Sequence, residues 1–137
     1  MTTLNEKERK AVVGLRLEKA NKTLSEAIHN AENELWNTAA NRLYYACFYA
    51  ACALLINKGH TTRTHGGVFS KLGEHFVSIG LISREQNKFY RRIFEQRQTG
   101  DYDDFTELSK SDILPLIEPA KQFIATIENL IKENNIK

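Results

Sequence analysis

Three short clusters carry residue types from which phosphate chemistry is built. In the first, Arg42, Tyr45 and Tyr49 fall at i, i+3 and i+7 with Asn41 and Phe48 flanking, which is one face of a helix. A guanidinium beside aromatic rings holds a base and its phosphate; the same rings equally suit a core with satisfied hydroxyls, and Arg42 equally suits a carboxylate partner. In the second, Arg63, Thr64, His65, Gly66 and Gly67 stand at a helix start. Backbone amides opened by two glycines, with Arg63 and His65 beside them, would receive an anion. Alternatively the histidine caps or packs, and the glycines permit a close helix approach. The third is Arg97, Asp101, Tyr102, Asp103 and Asp104. There Arg97 can hold a phosphate while Asp101 or Tyr102 moves a proton or orients a hydroxyl; the competing reading is an arginine at a helix C-terminus paired with an acidic loop. The run DYDD does not by itself define a Mg²⁺ site, and no metal is expected.

These clusters need elements to position them, and the strongest is residues 35–58. From Leu43 to Ile56 no residue is charged, so a helix here must be wrapped by the rest of the chain. Gly59 supplies its stop. Upstream, Val13, Leu17, Ala20, Leu24, Ile28 and Ala31 step by three or four, predicting an amphipathic helix through residues 4–32, with Asn33 and Glu34 as a turn. Downstream, residues 65–79 read as a helix through Val68, Leu72, Phe76 and Ile79, closed by Gly80. Ser83 with Gln86 is a capping-box pattern opening a fourth helix, with Phe89, Ile93 and Phe94 on its apolar face and Gly100 as its end. Asp101–Lys110 reads as an acidic loop. A last helix, capped by Ser111 or Asp112, runs to about Asn134. It presents Leu116, Ala120, Phe123, Ile127 and Leu130, with Ile124 and Ile131 beside them. Pro115 would lie in its first turn, and Pro119 would bend it or mark its true start. No stretch alternates with period two. The expectation is an all-α, up-and-down bundle of four core helices with an additional helix, forming a single domain over residues 1–137.

Composition narrows the function classes. The 137 residues are 42% hydrophobic and 26% charged, enough for a core and unlike a disordered chain. Nineteen Lys and Arg against seventeen Asp and Glu leave +2, so any basic surface must be local. Cys47 and Cys52 at i, i+5 lie on different faces of one helix, which argues against a mutual disulfide and suits a reducing compartment. The apolar run is shorter than the roughly 20 residues of a membrane span, and the N-terminus has no export-type apolar region; a cytoplasmic, non-membrane protein is expected. No Cys/His spacing suggests zinc, and neither a phosphate-binding glycine loop nor a nucleophile elbow occurs. No cofactor is expected.

Taken in order, NRLYYACFYAACALLINKG, THGGVFSKLGEHFVSIGLI and RRIFEQRQTGDYDD resemble the HEPN domain, over about residues 8–132. Within that family the chain is similar to small stand-alone bacterial and archaeal proteins. The resemblance implies a dimeric helical bundle that occurs beside small nucleotidyltransferases, often as toxin–antitoxin pairs. It also implies kinship with metal-independent RNases, in which an Arg stabilises the scissile phosphate and a following His serves acid–base transfer on the ribose 2′-hydroxyl. Arg97 matches the motif arginine. After four intervening residues the matching position holds Tyr102, and no histidine follows His75. Tyrosine, with an ordinary pKa near ~10, is a poor base at neutral pH. Only His65, arriving from a neighbouring helix, can restore that half of the motif.

Three functions follow as expectations. The first is a homodimeric module binding nucleotide or RNA through Arg97, Asp101 and Tyr102, with Arg42, His65 and Arg63 nearby, partnered by a small nucleotidyltransferase. The second is a metal-independent endoribonuclease toxin using Arg97 with Tyr102 or His65. The third is a non-catalytic scaffold whose polar clusters are internal salt bridges.

Overall fold

The structure, a computed structural model, describes residues 4–60 and 64–136. It is all-α: α1 (Glu6–Glu32), α2 (Trp36–Asn57), α3 (His65–Leu72) continuing into a π-helical turn (Gly73–Val77), α4 (Arg84–Tyr102) and α5 (Lys110–Ile136). Four long helices run up and down, and the short α3 is the additional one; no strand occurs among the described residues.

α1 is opened by a capping box in which Asn5 Oδ1 accepts from the Glu8 amide and Glu8 Oε1 accepts from that of Asn5. It ends in a turn where Glu34 takes a left-handed φ of 59°. Ala20, Ala27 and Ala31 of α1 and Ala39, Ala46, Ala50 and Ala53 of α2 are all buried. These small side chains let the two helices approach closely. α2 is the central element, packed against α1, α3, α4 and α5. Its apolar length passes the composition test for crossing a membrane, yet 61% of that stretch is buried inside the bundle, as a core helix requires. Gly59, at φ +81°, closes it as expected. Both cysteines are free.

Four local expectations are corrected. Regular α-helix in the third segment stops at Leu72, and the π turn that follows breaks the three-to-four register. Phe76 reaches the core as its spacing predicts, whereas Ile79, in the turn beyond the helix, is 67% exposed. Gly100 does not end α4, which continues to Tyr102. A Cβ at Gly100 would lie 3.0 Å from Leu108 Cδ1 and 3.4 Å from Asn37 Cα, so the glycine serves close packing against the start of α2. α5 begins at Lys110, with Asp112 Oδ2 accepting from the Ser109 amide and hydroxyl, so Pro115 sits beyond the first turn. Pro119 neither starts nor interrupts α5. A mid-helix proline costs about 3 kcal/mol, but Ile113, Leu116, Ala120, Phe123 and Ile127 are buried along one stripe, and that packing holds the helix together.

Candidate site at the junction of α2, α3 and α4

The continuation of α4 through Gly100 fixes the geometry of the third cluster. Arg97, Asp101 and Tyr102 become i, i+4 and i+5 on the last turns of one helix. Arg97 Nε lies 3.2 Å from Asp101 Oδ2, close enough for an ion pair though not aligned as a hydrogen bond. Its Nη2 donates to Tyr45 Oη at 3.0 Å and to Tyr102 Oη at 3.4 Å. The guanidinium carbon is 5.6, 5.3 and 5.4 Å from the ring centroids of Tyr44, Tyr45 and Tyr102. This cation is thus bracketed by three neutral rings and faces one carboxylate, with 12% of its side chain in contact with solvent.

The first cluster joins the third through Asn41, whose Nδ2 donates to Asp101 Oδ2 at 2.9 Å and whose Oδ1 accepts from Arg42 Nε and Nη2. Arg42 also lies 5.4 Å from the Tyr45 centroid, so two guanidinium groups share one ring. Its carboxylate contact, with Glu26 at 3.7 Å, is half exposed and weak. Tyr49 instead lies under Lys19, 4.5 Å from the ring centroid.

The second cluster arrives through its histidine. His65 stacks on Phe48, with centroids 4.4 Å apart, and its Nδ1 shares a hydrogen bond with the Tyr44 hydroxyl. Nε2 has no partner among the described residues. Burial and the neighbouring Arg97 charge hold the imidazole below its usual pKa, so the neutral ring prevails at pH 7. Burial, against the pull of Tyr90 and Arg97, pushes the Tyr44 phenol up to about 12. One amide offered to an anion is already consumed, since Gly67 N donates to Thr64 Oγ1 at 2.9 Å. Arg63 lies outside the described residues.

The aspartates do not converge. Asp101 serves Arg97 and Asn41, while Asp103 Oδ1 accepts from the Phe105 and Thr106 amides. No cluster of three metal-ligating side chains occurs among the described residues. Sequence reasoning missed Tyr44, which lies one position off the Arg42–Tyr45–Tyr49 stripe. Its signal was present in the adjacent pair Tyr44–Tyr45: on a helix beside two charged clusters, one ring must turn inward as the other turns out.

The family model for the HEPN domain matches residues 13–130. A UPF0332 protein of Thermotoga maritima is 37% identical over 130 residues, 95% of this chain and 97% of that protein. Two Methanocaldococcus jannaschii proteins named as candidate toxins are similar as well. One is 33% identical, over 95% of this chain and 96% of its own length; the other is 30% identical, over 88% and 83%. The crystal structure of TT1696 from Thermus thermophilus superposes with a TM-score of 0.72 at 14% identity, covering 85% of this chain and 96% of that one, a likeness of fold. The order of helices and these matches agree: the chain belongs to the HEPN domain family.

Proposed function

We propose that this protein is the toxin-side member of a toxin–antitoxin-like pair and binds RNA by gripping a backbone phosphate at Arg97. The observation that carries the reading is the Arg97 setting: a nearly buried cation held by tyrosine hydroxyls and rings, opposed by a single carboxylate that also has Asn41 to turn to. A phosphate oxygen meeting Arg97 releases Asp101 to Asn41, and Tyr102 and Arg42 supply further contacts. The test is fluorescence anisotropy with labelled RNA in EDTA. Arg97→Ala is expected to abolish binding; equal binding by wild type and variant refutes the reading.

A second reading, metal-independent RNA cleavage, is favoured by the neutral, anchored His65 beside Arg97. In it, His65 Nε2 takes the proton of the ribose 2′-hydroxyl, and the 2′-oxygen forms a bond to phosphorus as the bond to the 5′-oxygen breaks. Arg97 carries the developing charge, and the leaving oxygen regains a proton, giving a 2′,3′-cyclic phosphate and a 5′-hydroxyl. Cleavage in EDTA that is lost in His65→Gln supports it; intact RNA after incubation with clean wild-type protein removes it.

The wider assignment takes the chain as one cytoplasmic domain, acting as a homodimer alongside a small nucleotidyltransferase. Supporting it are the relatives named as candidate toxins and the exposed rings of Tyr102 and Phe105 at the edge of the site, 69% and 99% accessible, which a protein partner would cover. Tyr102 is the hydroxyl within reach of such an enzyme. Co-purification with the co-encoded nucleotidyltransferase, and sedimentation of the isolated chain as a dimer, are the expected results.

A further inference from the structure

A row of cations runs along the edge where α1 faces α2. Arg16, Lys19 and Lys22 stand three apart on one side of α1. The Arg16 charge acts on the Cys52 thiol, and Lys19 lies over the Tyr49 ring. Lys22 opens into a cavity of about 470 Å³ that it lines with Ser25, Glu26, His29, Asn30 and Arg42. All six side chains are polar, which suits a hydrated ionic ligand better than an apolar one. On a chain of net charge +2, this row is a local basic surface.

Arg42 is oriented towards that cavity. Its Nε and Nη2 both donate to Asn41 Oδ1, and Asn41 is itself bonded to Asp101, so the guanidinium is fixed from one side. Nη1 is left facing α1, where Glu26 Oε1 lies 3.7 Å away, beyond hydrogen-bond reach. Glu26 is half exposed and its hold is weak, so a phosphate displaces it at small cost. Lys22 makes no ion pair among the described residues. The cavity also adjoins the Arg97 site, because Arg42 and Arg97 lie 5.4 and 5.3 Å from the centroid of one ring, Tyr45. At roughly 3.4 Å per nucleotide along a strand, a few nucleotides bridge the two guanidinium groups.

We propose that an RNA strand gripped at Arg97 crosses Tyr45 and seats a second phosphate between Arg42 Nη1 and the Lys22 ammonium. This second contact rests on the RNA-binding reading above and deepens it, because two phosphate contacts give the bound strand a direction where one does not. Phosphate contacts fix register and orientation without reading sequence. A longer strand continues along Lys19 and Arg16.

The test is anisotropy in EDTA over a salt series, with a labelled dinucleoside monophosphate, which has one phosphate to offer, and a longer labelled oligouridylate. Lys22 is exposed and unpaired, so Lys22→Gln is expected to melt with wild type. It is expected to weaken the longer strand roughly fivefold near 0.1 M salt, to lower the slope of log affinity against log salt by about 0.7, and to leave the dinucleoside unchanged. Glu26→Gln removes the competing carboxylate and is expected to tighten the longer strand about twofold to fivefold; weakening would make Glu26 a support for Arg42 and count against the subsite. Lys121→Gln, on α5 and paired with Glu118, is the control for charge at a distance. The proposal is overturned if Lys22→Gln keeps wild-type affinity and salt slope, or if Lys121→Gln weakens the longer strand equally. Binding lost in Arg97→Ala with Lys22→Gln silent removes this subsite alone. Binding that survives Arg97→Ala and falls in Lys22→Gln upholds the α1–α2 edge and removes the grip at Arg97.

Discussion

Replacing Arg97 with lysine separates a phosphate grip from an internal staple. In the folded chain Arg97 makes one good hydrogen bond, to Tyr45, a longer one to Tyr102 and an ion contact with Asp101, all among three rings. An ammonium retains the charge opposite Asp101 and one hydroxyl contact but loses the planar fork. The stability lost is one hydrogen bond of about 1 kcal/mol with up to about 1 kcal/mol of ring contact. At roughly 4 °C per kcal/mol for a chain of this size, the melting temperature falls by about 4–8 °C. A phosphate held by a two-pronged guanidinium loses more, about 1.5–3 kcal/mol on becoming a single-point contact, or roughly tenfold to a hundredfold in affinity. Anisotropy titration with labelled RNA at fixed ionic strength in EDTA, paired with thermal denaturation, reads both quantities. If R97K melts lower yet binds RNA within about twofold of wild type, Arg97 is an internal cross-link and the phosphate reading is wrong.

Other outcomes follow from single features. Glu34 holds a left-handed φ of 59°, so Glu34→Gly is expected to stabilise the chain by up to about 1 kcal/mol in urea unfolding, and a loss would contradict the turn geometry. Gly100→Val presses its side chain against Leu108 and the Asn37 backbone and is expected to cost about 1–3 kcal/mol, measured the same way. His65 and His60 are both held below the ordinary histidine pKa, chiefly by burial, with Arg97 adding to the shift of His65 and His75 to that of His60. The unfolded chain takes up those protons first, so their contribution to stability is complete above about pH 6.5 and declines as pH falls towards the folded-state values. His65→Gln should flatten part of the fall in melting temperature between about pH 7 and pH 5; a wild-type curve that rises on acidification relative to His65→Gln reverses the sign and refutes it.

The sequence made the helices legible wherever a buried stripe repeated with helical period. Val13 to Ala31, the uncharged run of α2 and Leu116 to Ile131 all sit where their spacing predicts. A local signal was legible at Ser83, whose side chain makes its bond within three residues, whereas the equally local caps at Asn5 and Thr64 went unread. What failed was inference from residue type where tertiary contact decides. Gly100 and Pro119 both read as helix breakers, and both lie inside helices whose burial outweighs their local cost. The π turn after Leu72 carries no spacing signal at all, because it interrupts the periodicity by which a helix is read.

The same failures explain why the clusters looked separate. With α4 ended at Gly100, Asp101 and Tyr102 belong to a loop and bear no fixed relation to Arg97. With α4 carried two residues further, all three share one end of a helix, and the absent side chain of Gly100 is what lets that end lie against Asn37. Asn37 Oδ1 in turn accepts from the Leu108 amide and ties down the chain that leaves the site. On the proposed cleavage reading, the missing motif histidine has a similar answer. His65 lies far from Arg97 in sequence, yet Tyr44 touches both, through a hydrogen bond to one and ring contact with the other. Tyr44 sits on the most deeply buried helix of the bundle and is itself wholly enclosed. A side chain so fixed can hold a histidine and an arginine from two other helices in constant register.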